Sequence, residues 1–130
     1  VVSPSISVLI VDDQAPFRLA ARGVVRATPG FEVVGEVSSG EDAMNAVTLL
    51  EPALVLMDIN MGGIDGMEAT RRIVRATNTR VVLLSTYDAE DLPEDARTCG
   101  AIAYLHKEQF GPEELERVWR EAESAERDPA

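Results

Sequence analysis

Three aspartates, a serine–threonine pair and the chain's one lysine each stand directly after a short apolar run. Asp12-Asp13 follow Ile6–Val11, Asp58 follows Ala53–Met57, Ser85-Thr86 follow Arg80–Leu84, and His106-Lys107 follow Ala101–Leu105. If these ends share one edge, three carboxylates crowd together, and their repulsion raises their pKa values unless a cation is present. A hard divalent ion meets that need. Mg²⁺, with Mn²⁺ as an alternative, accepts one or two carboxylates, keeps several waters and fills its remaining positions with phosphate oxygens. A carboxylate neutralised in this way can attack a phosphoryl group and become an acyl phosphate. Such a transfer needs positioning and positive charge around three equatorial oxygens, which the metal and Lys107 would supply. The hydroxyl of Ser85 or Thr86 can then bond one of those oxygens. The lysine itself is unusual here, because eleven arginines supply the rest of the basic side chains. A compact ammonium and a planar guanidinium do different chemistry.

Each residue also has a plainer role open to it. Asp12-Asp13 could cap a following helix, Asp58 could shape the loop carrying Gly62, Gly63 and Gly66, and Lys107 could be a solvated surface charge. His106 reads as structural, Cys99 as a small buried side chain, and Trp119 and Tyr87 as packing residues. The joint placement of the acids, hydroxyls and lysine is what favours the chemical reading.

Positioning them on one edge is the work of the intervening elements. Five apolar, β-rich runs (Ile6–Val11, Phe31–Val37, Ala53–Met57, Arg80–Leu84 and Ala101–Leu105) recur every twenty-odd residues. Between them, Gln14–Thr28, Gly40–Leu50, Asp65–Ala76 and Pro112–Ala125 carry apolar residues at three- and four-residue spacing, the pattern of an amphipathic helix. Ala89–Cys99 holds Pro93 and few large apolar side chains, so a short or irregular element is expected there. Alternating strands and helices predict stacked βαβ units and a parallel sheet covered on both faces. Ligand sites in such sheets lie beyond the carboxyl ends of the strands, where the acids, hydroxyls and lysine sit.

The chain has 130 residues, 45% of them hydrophobic, enough for one domain with one substantial core. A net charge of −11 repels phosphate backbones, so the domain is not expected to grip DNA or RNA itself. Lone Cys99 excludes an internal disulfide and suits a reducing cytoplasm. No apolar run is long enough to span a bilayer, and the first residues lack the pattern of a signal peptide. Residues 1–123 read as the domain, and the polar stretch 124–130 as a fraying tail or the start of a linker.

Leu9-Ile10-Val11-Asp12-Asp13 resembles the first strand of response-regulator receiver domains. Leu56-Met57-Asp58-Ile59-Asn60-Met61, continuing to Gly63-Ile64-Asp65-Gly66-Met67-Glu68-Ala69, resembles that family's phosphorylation strand and loop. Val82-Leu83-Leu84-Ser85-Thr86-Tyr87 and Gly100-Ala101-Ile102-Ala103-Tyr104-Leu105-His106-Lys107 are similar to its last two strands. The wording is most like receivers that precede a LuxR-type helix-turn-helix. The resemblance implies a flavodoxin-like sheet of order 2-1-3-4-5, with Asp58 as phosphoacceptor. It further implies Mg²⁺ held by Asp13 directly, Asp12 largely through a water, Asp58, and the backbone carbonyl of Asn60. Ser85 would be the switch hydroxyl with Thr86 beside it, Lys107 the phosphoryl-binding ammonium, and Tyr104 an aromatic that moves with state. It also implies a sensor histidine kinase as partner, a homodimer as a route of output, and DNA contact only through a further domain. The domain would be a switch rather than an enzyme. Several positions depart from the family's pattern: Gly62 and Glu108 stand where proline is common, Ala103 where glycine is, and Thr86 is bulkier than usual. A cis peptide before residue 108 is therefore not expected.

Two other functions fit the same fold elements less well. A small aspartyl-phosphate phosphatase wants an acid two residues after its nucleophile, where this chain has Asn60. A phosphorylation-independent interaction module on the same fold would not need the full set of pocket residues.

Overall fold

Five parallel strands form in the computed structural model, which describes residues 5–61 and 64–127. They are β1 (Ile6–Val11), β2 (Phe31–Val37), β3 (Leu54–Asp58), β4 (Arg80–Ser85) and β5 (Ala103–His106), paired in the order β2-β1-β3-β4-β5. Four α-helices connect or follow them: α1 (Ala15–Ala27), α2 (Gly40–Leu50), α3 (Gly66–Ala76) and α4 (Pro112–Arg127). This is the doubly wound order that the receiver-domain resemblance implied.

Strand alternation divides the core in two. Leu9 and Val11 of β1, Val55 and Met57 of β3, and Val81 and Leu83 of β4 pack on the face carrying Ala43 and Val47 of α2 and Ile73 of α3. Their neighbours Val8, Ile10, Leu54, Leu56, Val82 and Leu84 pack on the opposite face, with Ala21 and Val25 of α1 and Leu115 and Val118 of α4. Side chains leave a strand on alternate faces, so a strand covered on both sides must be apolar throughout. Continued one step past the apolar residues, the same alternation has a chemical consequence. Asp12, Asp58 and Lys107 share the parity of the α1/α4 face, while Ser85 shares that of Tyr104 on the α2/α3 face.

Local signals fix the helix starts. Ser39 Oγ accepts the Asp42 N–H at 3.0 Å at the head of α2, and Asp65 Oδ1 accepts the Glu68 N–H at 2.8 Å at the head of α3. Both are the usual N-cap bond. The irregular stretch between β4 and β5 forms two 3₁₀ turns, Ala89–Asp91 and Glu94–Arg97, in place of an α-helix. Leu92 and Pro93 separate them, and Pro93, which has no N–H to donate, stands at the N-cap of the second. It still contributes buried Leu92, Ala96 and Cys99 to the core.

Several boundaries differ from the sequence expectation. β3 shifts by one residue to Leu54–Asp58, β4 extends by one to Ser85, and β5 runs Ala103–His106 in place of Ala101–Leu105. The polar stretch read as a tail from Ser124 is helical through Arg127. Glutamates and arginines at three- and four-residue spacing account for the helix's polar side: Arg117 pairs with Glu114 and Glu121, and Arg120 with Glu116. Such pairs support a helix whose outer face has nothing to bury. Residues 128–130 of that stretch lie outside the described residues, as do Gly62 and Gly63. No peptide bond among the described residues is cis, including that before Glu108. No helix among them is long and apolar enough to cross a membrane.

Gly66 lets α3 begin against the end of β3. Its N–H donates to the Ile59 carbonyl at 3.1 Å. A Cβ at this position would lie well inside van der Waals contact with the Asp58 carbonyl oxygen, whereas a Cβ on Gly23 in α1 would meet open space. Gly66→Ala should therefore cost about 2 kcal/mol or more in urea unfolding. Gly23→Ala should gain about 0.5–1 kcal/mol, because alanine is the better helix former. Equal effects in the two variants would contradict the close approach at Asp58.

Candidate functional site

The carboxylates of Asp12, Asp13 and Asp58 each place an oxygen within 4.8 Å of the others. Asp12 and Asp58 are only 1% and 5% exposed, while Asp13 is open to solvent. Their strands explain the meeting. β1 and β3 pair through Val11 and Met57, so the next residue of each emerges side by side at the carboxyl edge.

Asp12 is held on several sides. Its Oδ1 accepts the Gln14 N–H at 2.8 Å, and its backbone carbonyl accepts from Arg18 Nη1 at 2.7 Å. Arg18 and Arg22 both face Glu36 of β2, at 3.9 and 2.6 Å, which ties α1 to the sheet beside the site. The Oδ2 of Asp12 is fully buried and receives no well-directed hydrogen bond. The Lys107 ammonium lies 2.7 Å from that oxygen as an ion pair.

Lys107 also lies 3.4 Å from Asp58 Oδ1, so one ammonium serves two buried carboxylates and favours Asp12. Beneath it, the Phe17 ring centroid is 4.4 Å from Nζ, and Phe17 in turn packs on Phe110 at 6.4 Å. An ammonium over an aromatic face gains further attraction from the ring quadrupole. Asp58 is left with weaker compensation, a 3.4 Å approach of the Asn60 N–H to Oδ1. Its carboxyl is accordingly pushed up to about 6, first by burial and then by the neighbouring Asp12 charge, with Lys107 pulling the other way.

Of the remaining residues singled out in the sequence, Ser85 is buried at the end of β4 and Thr86 beside it is exposed. Ser85 Oγ accepts the Tyr87 N–H at 2.8 Å, which leaves its own O–H free of that bond. Asn60 is exposed just past β3. Tyr104 lies farther off, half-buried against the α2/α3 core with the Arg97 guanidinium 6.0 Å from its ring centroid. The close cluster is thus Asp12, Asp13, Asp58 and Lys107; Ser85 stands next to it, and Tyr104 pairs with Leu83, two residues back from Ser85. Phe17, Arg18 and Gly66 belong to the same neighbourhood. Helical periodicity marked Phe17 only as an apolar position, and nothing in it distinguishes a core aromatic from one lying under an ammonium.

Three hard oxygen donors, one with a buried and underbonded atom, fit a divalent cation of the Mg²⁺ type. Such an ion would supply the positive charge that one lysine provides incompletely.

Without metal, the raised pKa of Asp58 makes its ionisation a cost to folding. The carboxyl titrates near 3.8 unfolded and about 6 folded, so the folded state binds the proton more readily. The contribution of Asp58 to stability is therefore most favourable below pH 4, falls as pH rises from 4 through 6, and then levels off. Asp58→Asn should raise metal-free stability at pH 7 by about 1–3 kcal/mol and have no advantage at pH 3.5. Chemical denaturation at the two pH values checks this. An equal gain at both would mean that ionisation is not the cause.

The model of the response regulator receiver domain matches residues 8–120. Response regulator UvrY of Escherichia coli is 37% identical over 123 residues, covering 94% of this chain and 56% of UvrY. The chain thus spans about half the length of that relative. Among solved structures, the receiver domain of the response regulator NarL from Mycobacterium tuberculosis superposes with a TM-score of 0.83 at 26% identity. That match covers 93% of this chain and 98% of the other. CheY6 of R. sphaeroides, solved in complex with the P1 domain of CheA3, gives a TM-score of 0.78 at 29% identity, covering 95% and 100%. With the sheet order, the acidic edge and the match over most of its length in agreement, this chain belongs to the response regulator receiver domain family of two-component signalling.

Proposed function

We propose that Asp58 is the phosphoacceptor of this receiver and that Asp12, Asp13 and the Asn60 carbonyl join it in holding Mg²⁺, or Mn²⁺ in its place. Receiver domains bind Mg²⁺ at an acidic pocket, and the clustered carboxylates with the underbonded Asp12 Oδ2 support the same use here. The observation that carries the reading is Asp58 itself: a carboxylate at the end of a buried strand, beside two further acids and within 3.4 Å of the one lysine. When bound, the cation neutralises the carboxylates and offers positive charge to phosphoryl oxygens.

In this reading the donor is a phosphohistidine of a sensor histidine kinase. An Asp58 oxygen forms the new P–O bond as the P–N bond breaks, and the electron pair returns to the imidazole, which takes up a proton. Lys107 exchanges its pairing with Asp12 for a phosphoryl oxygen. Ser85 donates its hydroxyl to another, with Thr86 beside it, and Tyr104 follows into the space so opened. The added charge of about −1.5 to −2 supplies the driving force for those inward movements. The chain is thus a switch that assists its own phosphorylation, not an enzyme acting on a separate substrate. It would work in the cytoplasm, as a unit spanning residues 1–123, and signal through a homodimer to a DNA-binding domain outside this chain.

Intact-mass measurement after incubation with acetyl phosphate and Mg²⁺ tests the acceptor. One phosphoryl group should be gained by the wild type and none by Asp58→Ala; stoichiometric labelling of the variant would remove Asp58 from the role. Lys107 gives a second check. Lys107→Arg should slow labelling nearly as much as Lys107→Ala, because a planar fork cannot occupy the place of a compact ammonium between Asp12 and Phe17. Labelling at the wild-type rate in Lys107→Arg would reduce the lysine to a generic charge.

A further inference from the structure

The ladder between β4 and β5 ends at the pair Ser85–His106. Beyond that pair the ladder offers no partner to the Thr86 carbonyl or the Glu108 N–H. The His106 ring serves both. Its Nε2 lies 3.0 Å from the Thr86 carbonyl oxygen, and its Nδ1 accepts the Glu108 N–H at 3.1 Å. Because an N–H points at Nδ1, that nitrogen must carry the lone pair. Nε2 must then carry the proton and donate to Thr86. One neutral tautomer satisfies both bonds, and no other protonation state does.

The two bonds bracket the residues that matter. Thr86 follows Ser85 directly, and Lys107 lies between His106 and Glu108. The Glu108 bond caps the 3₁₀ turn Lys107–Gln109, so the ring fixes the backbone from which the lysine extends. The Thr86 bond ties that turn to the hydroxyl loop across the gap where the sheet no longer does. Glu108 stands where a proline would stiffen this turn through its own ring. Here a side-chain hydrogen bond does so instead.

We propose that His106 is a positioning residue that aims Lys107 and joins it to the Ser85–Thr86 loop, so that ammonium and hydroxyl approach a phosphoryl group as one body. The proposal rests on the reading of Asp58 as phosphoacceptor, and it concerns the step after that group arrives. His106 touches neither the acids nor the metal position; it acts through Lys107 and the loop.

Beryllofluoride, which mimics an aspartate-bound phosphoryl group, is the probe, used with saturating Mg²⁺ on the whole chain. His106→Leu should weaken beryllofluoride binding about ten-fold, the worth of one or two hydrogen bonds. Binding of Mg²⁺ alone, followed by amide chemical shifts, should stay unchanged. In a Lys107→Ala background the same substitution should cause little further loss, because two residues acting through one contact are not additive. A fully additive loss, or wild-type affinity in His106→Leu, would overturn the proposal. Should His106→Leu fail to fold, His106→Asn enters the same cycle, since its amide oxygen can still accept the Glu108 N–H. Ring-nitrogen NMR of the wild type needs no variant at all. The Nε2–H tautomer is expected near neutral pH, and an Nδ1–H tautomer would sink the idea. If the wild type binds no beryllofluoride, the Asp58 reading falls and this proposal with it. If the wild type binds and only the His106 effects are missing, this proposal alone falls.

Discussion

Asp12 and Asp58 are neighbouring carboxylates in a dry environment, with a single ammonium between them. Each ion has surrendered hydration worth several kcal/mol in real proteins, and Lys107 can stand close to only one of them, 2.7 Å from Asp12 against 3.4 Å from Asp58. The remaining imbalance is carried by Asp58, whose proton affinity rises in consequence. An electrostatic deficit of this kind is retained only where the surrounding structure can enforce it. The continuous apolar strands β1 and β3 do so, because their burial fixes where the next residue of each chain must emerge.

That deficit also organises the rest of the edge. A divalent cation held beside Asp13, which meets solvent, would relieve it and loosen the hold of Asp12 on Lys107. Phe17, backed by Phe110, gives the ammonium an aromatic floor rather than a polar one. Arg18 and Arg22 carry their charge away from the pocket, onto Glu36 and the Asp12 backbone. The α2/α3 face holds the other half of the device. Ser85 and Tyr104 lie there, beside 3₁₀ turns that bury only Leu92, Ala96 and Cys99 between them and the end of the stretch. An element with so few buried contacts is the least costly to displace.

Much of this was legible in the sequence for a simple reason. Strands buried on both faces leave unbroken apolar runs, and the residue that ends each run is the one at the functional edge. Asp12, Asp58, Ser85 and Lys107 could therefore be singled out before any geometry was known, and Pro93 announced the irregular fourth connection. The rest depends on distances that spacing does not encode. Phe17 occupies an ordinary core position of an amphipathic helix, and its place under Lys107 follows from the segment after β5 folding back onto α1, where Phe110 meets Phe17. Gly66 looks like any loop glycine until α3 is seen to start against the Asp58 carbonyl. His106 read as structural because its two partners are 20 residues and 2 residues away. The last helix runs only two residues past the expected Ala125, to Arg127, because a polar sequence rich in glutamate and arginine suits a helix edge as well as a tail.

The account turns on the claim that the fold withholds charge compensation from Asp58 until a cation and a phosphoryl group provide it. Carbon-detected NMR titration of the Asp58 carboxyl in uniformly labelled wild-type protein measures this directly. Without metal the carboxyl should titrate near 6, and saturating Mg²⁺ should move it below the ordinary carboxylate range. A carboxyl that titrates in the ordinary range without metal, and does not respond to Mg²⁺, would contradict the account.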